Sequence, residues 1–257
     1  MKELGKRLSS GVVGILLLIY VVSKGGFYLS SSIFIISLIG LNEFYRAMLN
    51  INLKPYTYIG FLVTIFIYIS NLYPSFSIDL VITVLIIVLL VYLLFKEDAS
   101  LDNLGITLLG VLYVPFLLFH VSYLDGSIYI WLIFIIAFGT DTFAYLAGNF
   151  FGKRKLCPKI SPKKTIEGSI GGILGSLILT VIYSLYIGNN TMWKLMILSV
   201  LVSIISQMGD LVGSRIKRMT GIKDFGKIMP GHGGIIDRFD SIILAAPVIY
   251  YFVRYFL

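Results

Sequence analysis

Long runs of apolar residues separated by short polar turns dominate the chain, falling at about 8–23, 26–45, 56–73, 77–95, 104–124, 127–148, 168–188, 192–213 and 240–257. A soluble helix or strand keeps one wet face and so breaks such a run every few residues, whereas these are long enough to cross the hydrocarbon of a bilayer. The pattern predicts an all-α, polytopic integral membrane protein of about nine transmembrane helices. Reversal signals sit between the runs: Lys24-Gly25-Gly26, Lys54-Pro55, Pro74-Ser75, the polar stretch from Lys96 to Asn103, Asp125-Gly126, and Gly188-Asn189-Asn190. Lys2, Lys6 and Arg7 give the first run the outline of a signal peptide. No small-x-small cleavage site precedes the second run, so the first reads as a span.

Composition agrees. The 257 residues are 58% hydrophobic, with a mean hydropathy of +0.93, above the ~45–50% apolar usage of soluble domains. The formal charge of +8 would suggest nucleic acid in a soluble protein, but its distribution argues against that. With the N-terminus in the cytoplasm, eighteen of the 21 basic residues fall on one side and only Lys24, Lys194 and Arg254 on the other. That is the positive-inside asymmetry, and it favours an N-in, C-out arrangement with no nucleic-acid partner. Cys157 is the one cysteine, so neither an intramolecular disulfide nor a thiolate cluster can form.

Polarity gathers in the second half. Residues 1–125 read as five N-terminal spans, and residues 126–257 as a catalytic region with cytoplasmic loops at 149–167 and 214–239. The first loop carries six cations between Lys153 and Lys164, a pattern that anionic lipid headgroups could explain. The order Ser161-Pro162-Lys163-Lys164-Thr165 running into Glu167-Gly168-Ser169 argues for more. At a helix N-terminus, amides and hydroxyls face phosphate oxygens while lysines neutralise them. Gly168/Gly172 and Gly171/Gly175 are spaced by four, which reads as close helix packing.

Asp141 and Asp210 lie within apolar runs, one or two turns from the cytoplasmic end, where a carboxylate must be paired, metal-bound or wet. For Asp141 the alternative is a buried hydrogen bond or a salt bridge to a loop lysine. Asp210 and Asp237, from separate elements, could hold one hard divalent cation and leave positions for phosphate oxygens. Glycines 231, 233 and 234 would let backbone approach a phosphate. His232 is as consistent with a hydrogen-bonding role as with substrate contact, and Asp224 or Asp240 could balance neighbouring cations.

The segment Ser214-Arg215-Ile216-Lys217-Arg218, then Lys223-Asp224, then Pro230-Gly231-His232-Gly233-Gly234-Ile235-Ile236-Asp237-Arg238-Phe239-Asp240 resembles the signature of the phosphatidate cytidylyltransferases, or CDP-diacylglycerol synthases. The resemblance extends upstream to Asp141-Thr142, Phe151-Gly152-Lys153, Ser161 to Thr165, Glu167-Gly168 and Gln207-x-Gly209-Asp210. It implies transfer of CMP from CTP to phosphatidate, giving CDP-diacylglycerol and pyrophosphate in phospholipid biosynthesis. It further implies magnesium as cofactor, with a monovalent cation such as potassium as a candidate second ion, and a homodimer. Carried over by position, Asp210 and Asp237 are the metal acids. Lys217, Arg218, His232 and Arg238 join them in the catalytic group, while Ser161, Lys163, Lys164, Thr165, Glu167, Asp141, Lys223, Asp224, Gly233 and Gly234 line the substrates. A bacterial inner membrane with the site on its cytoplasmic face is expected. Rival readings are another CTP-using enzyme acting on an isoprenoid ether lipid or a polyprenol, and a transporter. Against a transporter, the polar groups gather at one face and do not extend through the bilayer.

Overall fold

In the computed structural model, residues 2–73, 75–188, 191–228 and 233–257 are described, with side chains from residue 11 onward. The chain is helical: α1 (Lys2–Lys24), α2 (Gly26–Leu49), α3 (Thr57–Leu72), α4 (Ile78–Phe95), α5 (Leu101–Val111), α6 (Ile130–Phe151), α7 (Ile166–Tyr186), α8 (Met192–Met219) and α9 (Ile236–Phe256). After α5 a π-helical turn holding Pro115 (Leu112–Phe116) and a 3-10 turn (Phe119–Leu124) prolong the run to Leu124. Among the described residues, seven helical runs are long and apolar enough to cross a membrane, and Gly11–Lys24 and Thr57–Leu72 are shorter apolar helices. The protein is thus an integral membrane protein built from helices.

Local chemistry explains several starts. The hydroxyls of Ser77, Ser100 and Thr165 accept from the backbone N–H of Leu80, Asn103 and Gly168, capping α4, α5 and α7. Gly25, at φ 62°, makes the turn into α2 that a side chain would strain. Two departures from the sequence reading stand out. Ser214 to Met219 continue α8, because no helix breaker occurs before Gly221 and basic residues suit a helix C-terminus. Within the loop after α6, β1 (Lys155–Cys157) pairs antiparallel with β2 (Ser161–Thr165), a small hairpin in an otherwise helical chain.

The chain divides into two compact units. The first comprises residues 1–126 and 219–238. Its core centres on α2, where Leu41, Phe44, Tyr45 and Met48 are buried. The Tyr45 hydroxyl donates to the Thr107 carbonyl at 2.8 Å, and its ring fills the space left by Gly60 of α3 and Gly110 of α5, where a Cβ would overlap it.

The second unit comprises residues 127–218 and 239–257. Here α6 and α7 pack closely through small residues: a Cβ on Gly172 would stand 2.8 Å from the Thr140 carbonyl, and one on Gly148 would stand 3.6 Å from Gly168 Cα. Lipid gives helices little hydrophobic reason to associate, so close packing and hydroxyl bonds must serve. Thr140 Oγ1 donates to Ser203 Oγ at 2.8 Å and Thr180 Oγ1 to Ser199 Oγ at 3.1 Å, joining α8 to both.

Candidate functional site

Within the second unit a cavity of about 500 Å³ opens between α6, α7, α8 and the hairpin. That volume suits a small-molecule ligand. Asp141 of α6, Lys163 and Lys164 of β2, Thr165 and Ser169 at the start of α7, and Gln207 and Asp210 of α8 line it. The hairpin is why two lysines face one cavity. It carries the chain from the end of α6 back to the start of α7, and Thr165, its last residue, doubles as the N-cap of α7. Thr165 is buried, while Lys163 is exposed.

Electrostatics concentrate on three acids from three helices. Lys164 Nζ pairs with Asp210 Oδ2 at 2.5 Å, both side chains about a quarter exposed. Asp141 Oδ2 accepts from Ser241 Oγ at 3.3 Å, a hydrogen bond of the kind weighed for it. Asp240 is 7% exposed and lies within the fields of Asp210, Lys217 and Asp141. Its Oδ1 accepts the Ser241 N–H at 2.7 Å. Gly209 lets α9 approach this closely, since a Cβ there would overlap the Asp240 carbonyl.

The remaining predicted residues of this unit, Ser161, Glu167, Lys217 and Arg218, are not among those that line the cavity. Ser161 opens β2, opposite Cys157. Glu167 accepts the N–H groups of Lys153 and Arg154 at 3.0 and 3.1 Å, tying the end of α6 to the start of α7. Lys217 and Arg218 ride on the last turn of α8, where Arg218 Nε donates to the Ile160 carbonyl at 3.4 Å.

The other predicted residues belong to the first unit. Asp237 Oδ2 accepts from Phe225 N at 2.8 Å and from Gly234 N at 2.9 Å. Gly234 is buried, and Gly233 takes φ 90°. Lys223 and Asp224 are exposed after α8, and Arg238 is exposed on the first turn of α9. His232 lies outside the described residues.

Two acids that site reasoning passed over now matter. Asp240, which could balance neighbouring cations, is buried beside Asp141 and Asp210, and its place three residues after Asp237 on one helix is the available signal. Glu43 is 4% exposed on α2, and an acid inside an apolar span was itself the warning. Among the described residues, no three metal-ligating side chains cluster. Magnesium does not need such a cage: one or two carboxylates and substrate phosphates suffice, and Asp210 offers hard oxygens to the cavity.

A profile of the cytidylyltransferase family matches residues 5–256. The chain is 35% identical over 254 residues to a protein of Staphylococcus epidermidis named phosphatidate cytidylyltransferase, covering 95% of this chain and 96% of that one. Proteins of the same name in Staphylococcus haemolyticus and Staphylococcus aureus match at the same identity and coverage.

Proposed function

The chain belongs to the cytidylyltransferase family, and from that premise we propose that it transfers CMP from CTP to phosphatidate, releasing pyrophosphate and forming CDP-diacylglycerol. The observation that carries this reading is the cavity in which Lys163, Lys164 and the capped N-terminus of α7 face Asp141 and Asp210. Cations and a helix N-terminus receive phosphate oxygens, and carboxylates on the same wall receive a metal.

A phosphatidate oxygen attacks the α-phosphorus of CTP; the new P–O bond forms as the bond to pyrophosphate breaks, and the electron pair leaves on pyrophosphate. A phosphate monoester is already an adequate nucleophile at neutral pH, so the harder task is to hold two anions together. Lys163 and Lys164 neutralise the nucleotide phosphates, and the first amides of α7 add the positive end of the helix dipole. Lys217, Arg218, Lys223 and Arg238 supply further positive charge to the anionic substrates, with Ser161, Asp224, Gly233, Gly234 and His232 assigned by the signature alone. Glu167 holds the α6–α7 connection in place.

Magnesium would be held by Asp210, with Asp237 as the second acid on the strength of the signature, and it would neutralise charge on the phosphate oxygens. A monovalent cation such as potassium is a candidate second ion. The basic-residue asymmetry, the seven long helices and the two shorter apolar ones support nine spans, N-in and C-out. They also support a catalytic region over 126–257 that faces the cytoplasm of a bacterial inner membrane. The assembly is proposed to be a homodimer.

The test is pyrophosphate release from CTP by the purified protein in detergent, with and without phosphatidate and magnesium, scoring CDP-diacylglycerol by mass spectrometry. The liponucleotide is expected only when both substrates and the metal are present. Untouched CTP, or a requirement for an isoprenoid ether lipid or polyprenol, would overturn the proposal.

A further inference from the structure

Glu43 stands in α2, inside an apolar span, and is 4% exposed. A carboxylate there is costly unless its oxygens are satisfied. They are satisfied by consecutive backbone amides: Ile235 N–H donates to Oε1 and Ile236 N–H to Oε2, each at 3.0 Å. These are amides at the start of α9, which lack partners within the helix. A side chain from a distant helix therefore does what a local cap usually does.

The reason lies in the sequence before α9. Ile235 occupies the position where a serine, threonine or aspartate would normally cap, and Gly233, two residues before it, takes φ 90°, a conformation that side chains rarely adopt. With no local side chain to accept those amides, an acceptor must come from elsewhere. Two glycines make room for it: a Cβ on Gly226 or Gly234 would overlap the Glu43 carboxylate. Asp237 ties the segment a second time, because its Oδ2 accepts from both Phe225 N and Gly234 N. Asp237 thus joins Phe225 to Gly234, while Glu43 from α2 holds Ile235 and Ile236 between Gly234 and Asp237.

We infer that Glu43 is a positioning residue: through the Ile235 and Ile236 amides it sets the backbone that orients Asp237, without touching substrate. Its consequence for catalysis rests on the cytidylyl-transfer reading; the backbone tie does not.

The test compares the full chain in detergent with Glu43→Ala, Glu43→Gln, Gly226→Ala and the double variant Glu43→Ala/Gly226→Ala. Losing the support behind a metal acid is expected to lower kcat by about 10- to 100-fold and to raise the magnesium needed for half activation, with KM for phosphatidate unchanged. Glu43→Gln should recover part of the loss, since its amide keeps one acceptor oxygen. Gly226→Ala should cost less once Glu43→Ala is present, because the carboxylate its methyl overlaps is then gone and only the Gly234 Cα, 3.1 Å away, still crowds it. Without substrates, trypsin should cut Glu43→Ala faster at Lys223 and Lys227, which are exposed in the tied segment. The inference is overturned if Glu43→Ala lowers only yield and melting temperature while kcat, half-activating magnesium and cleavage rates of the folded protein stay at wild type. If the wild type transfers no cytidylyl group at all, the functional reading fails, and the cleavage comparison still decides the tie.

Discussion

Gly209→Ala tests whether the close approach of α8 and α9 builds the acidic wall of the cavity. Gly209 precedes Asp210, and a Cβ there would overlap the Asp240 carbonyl oxygen and come within 3.2 Å of its carbon and 3.3 Å of Ser241 Cα. All three are backbone atoms, so no side-chain rotation relieves the clash and the helices must move apart. Replacing glycine by alanine within a helix contributes about 1 kcal/mol of propensity. Overpacking costs about 1–3 kcal/mol, and rigid backbone on the far side favours the upper end. The difference predicts a net loss of about 1–2 kcal/mol, read as a melting temperature about 2–8 °C lower in detergent. Activity should suffer more, because a 1 Å misplacement of a reacting constellation can lose about 100-fold in rate. Gly105→Ala is the control: nothing lies within 4 Å of its added methyl, so neither quantity should fall. Differential scanning fluorimetry and CDP-diacylglycerol formation give the two readouts. A Gly209→Ala enzyme with kcat within about twofold of wild type and an undiminished melting temperature would refute the reasoning, the twofold bound being about 0.4 kcal/mol on the barrier.

Asp210→Asn and Asp237→Asn should each abolish most CDP-diacylglycerol formation while membrane insertion and melting temperature hold, and near-normal turnover in either would reject its metal role. Lys164→Met removes the cation paired with Asp210, and KM for CTP should rise by about 10-fold or more, the value of a charge-assisted hydrogen bond, measured by initial rates at saturating phosphatidate. Thr165→Val keeps the shape but loses the bond to Gly168 N–H, which should cost about 1 kcal/mol and show as a lower melting temperature.

The helices were legible because bilayer physics writes them into composition. A membrane-crossing helix needs a long apolar run, so eight of nine element boundaries on the N-terminal side fall within about four residues of the apolar windows, the precision such windows allow. Asp141, Lys163, Lys164, Thr165 and Asp210 were singled out by residue type and spacing, and they line one cavity. The hairpin over Lys155 to Thr165 was not visible, because a run so rich in lysine and proline carries no alternation of apolar and polar positions. The continuation of α8 to Met219 was missed because the basic cluster looked like a loop, although its residues are good helix formers.

Residue identity and order were thus enough for the membrane class, the family and several residues that line one cavity, since burial preference, turn chemistry and motif spacing are local properties of a chain. Partnership was not. That Lys164 meets Asp210, that Asp240 joins Asp141 and Asp210, and that Glu43 caps a helix 193 residues away depend on which helices touch and at what rotation. Those contacts arise from packing between small residues far apart in sequence, and no local pattern carries that information.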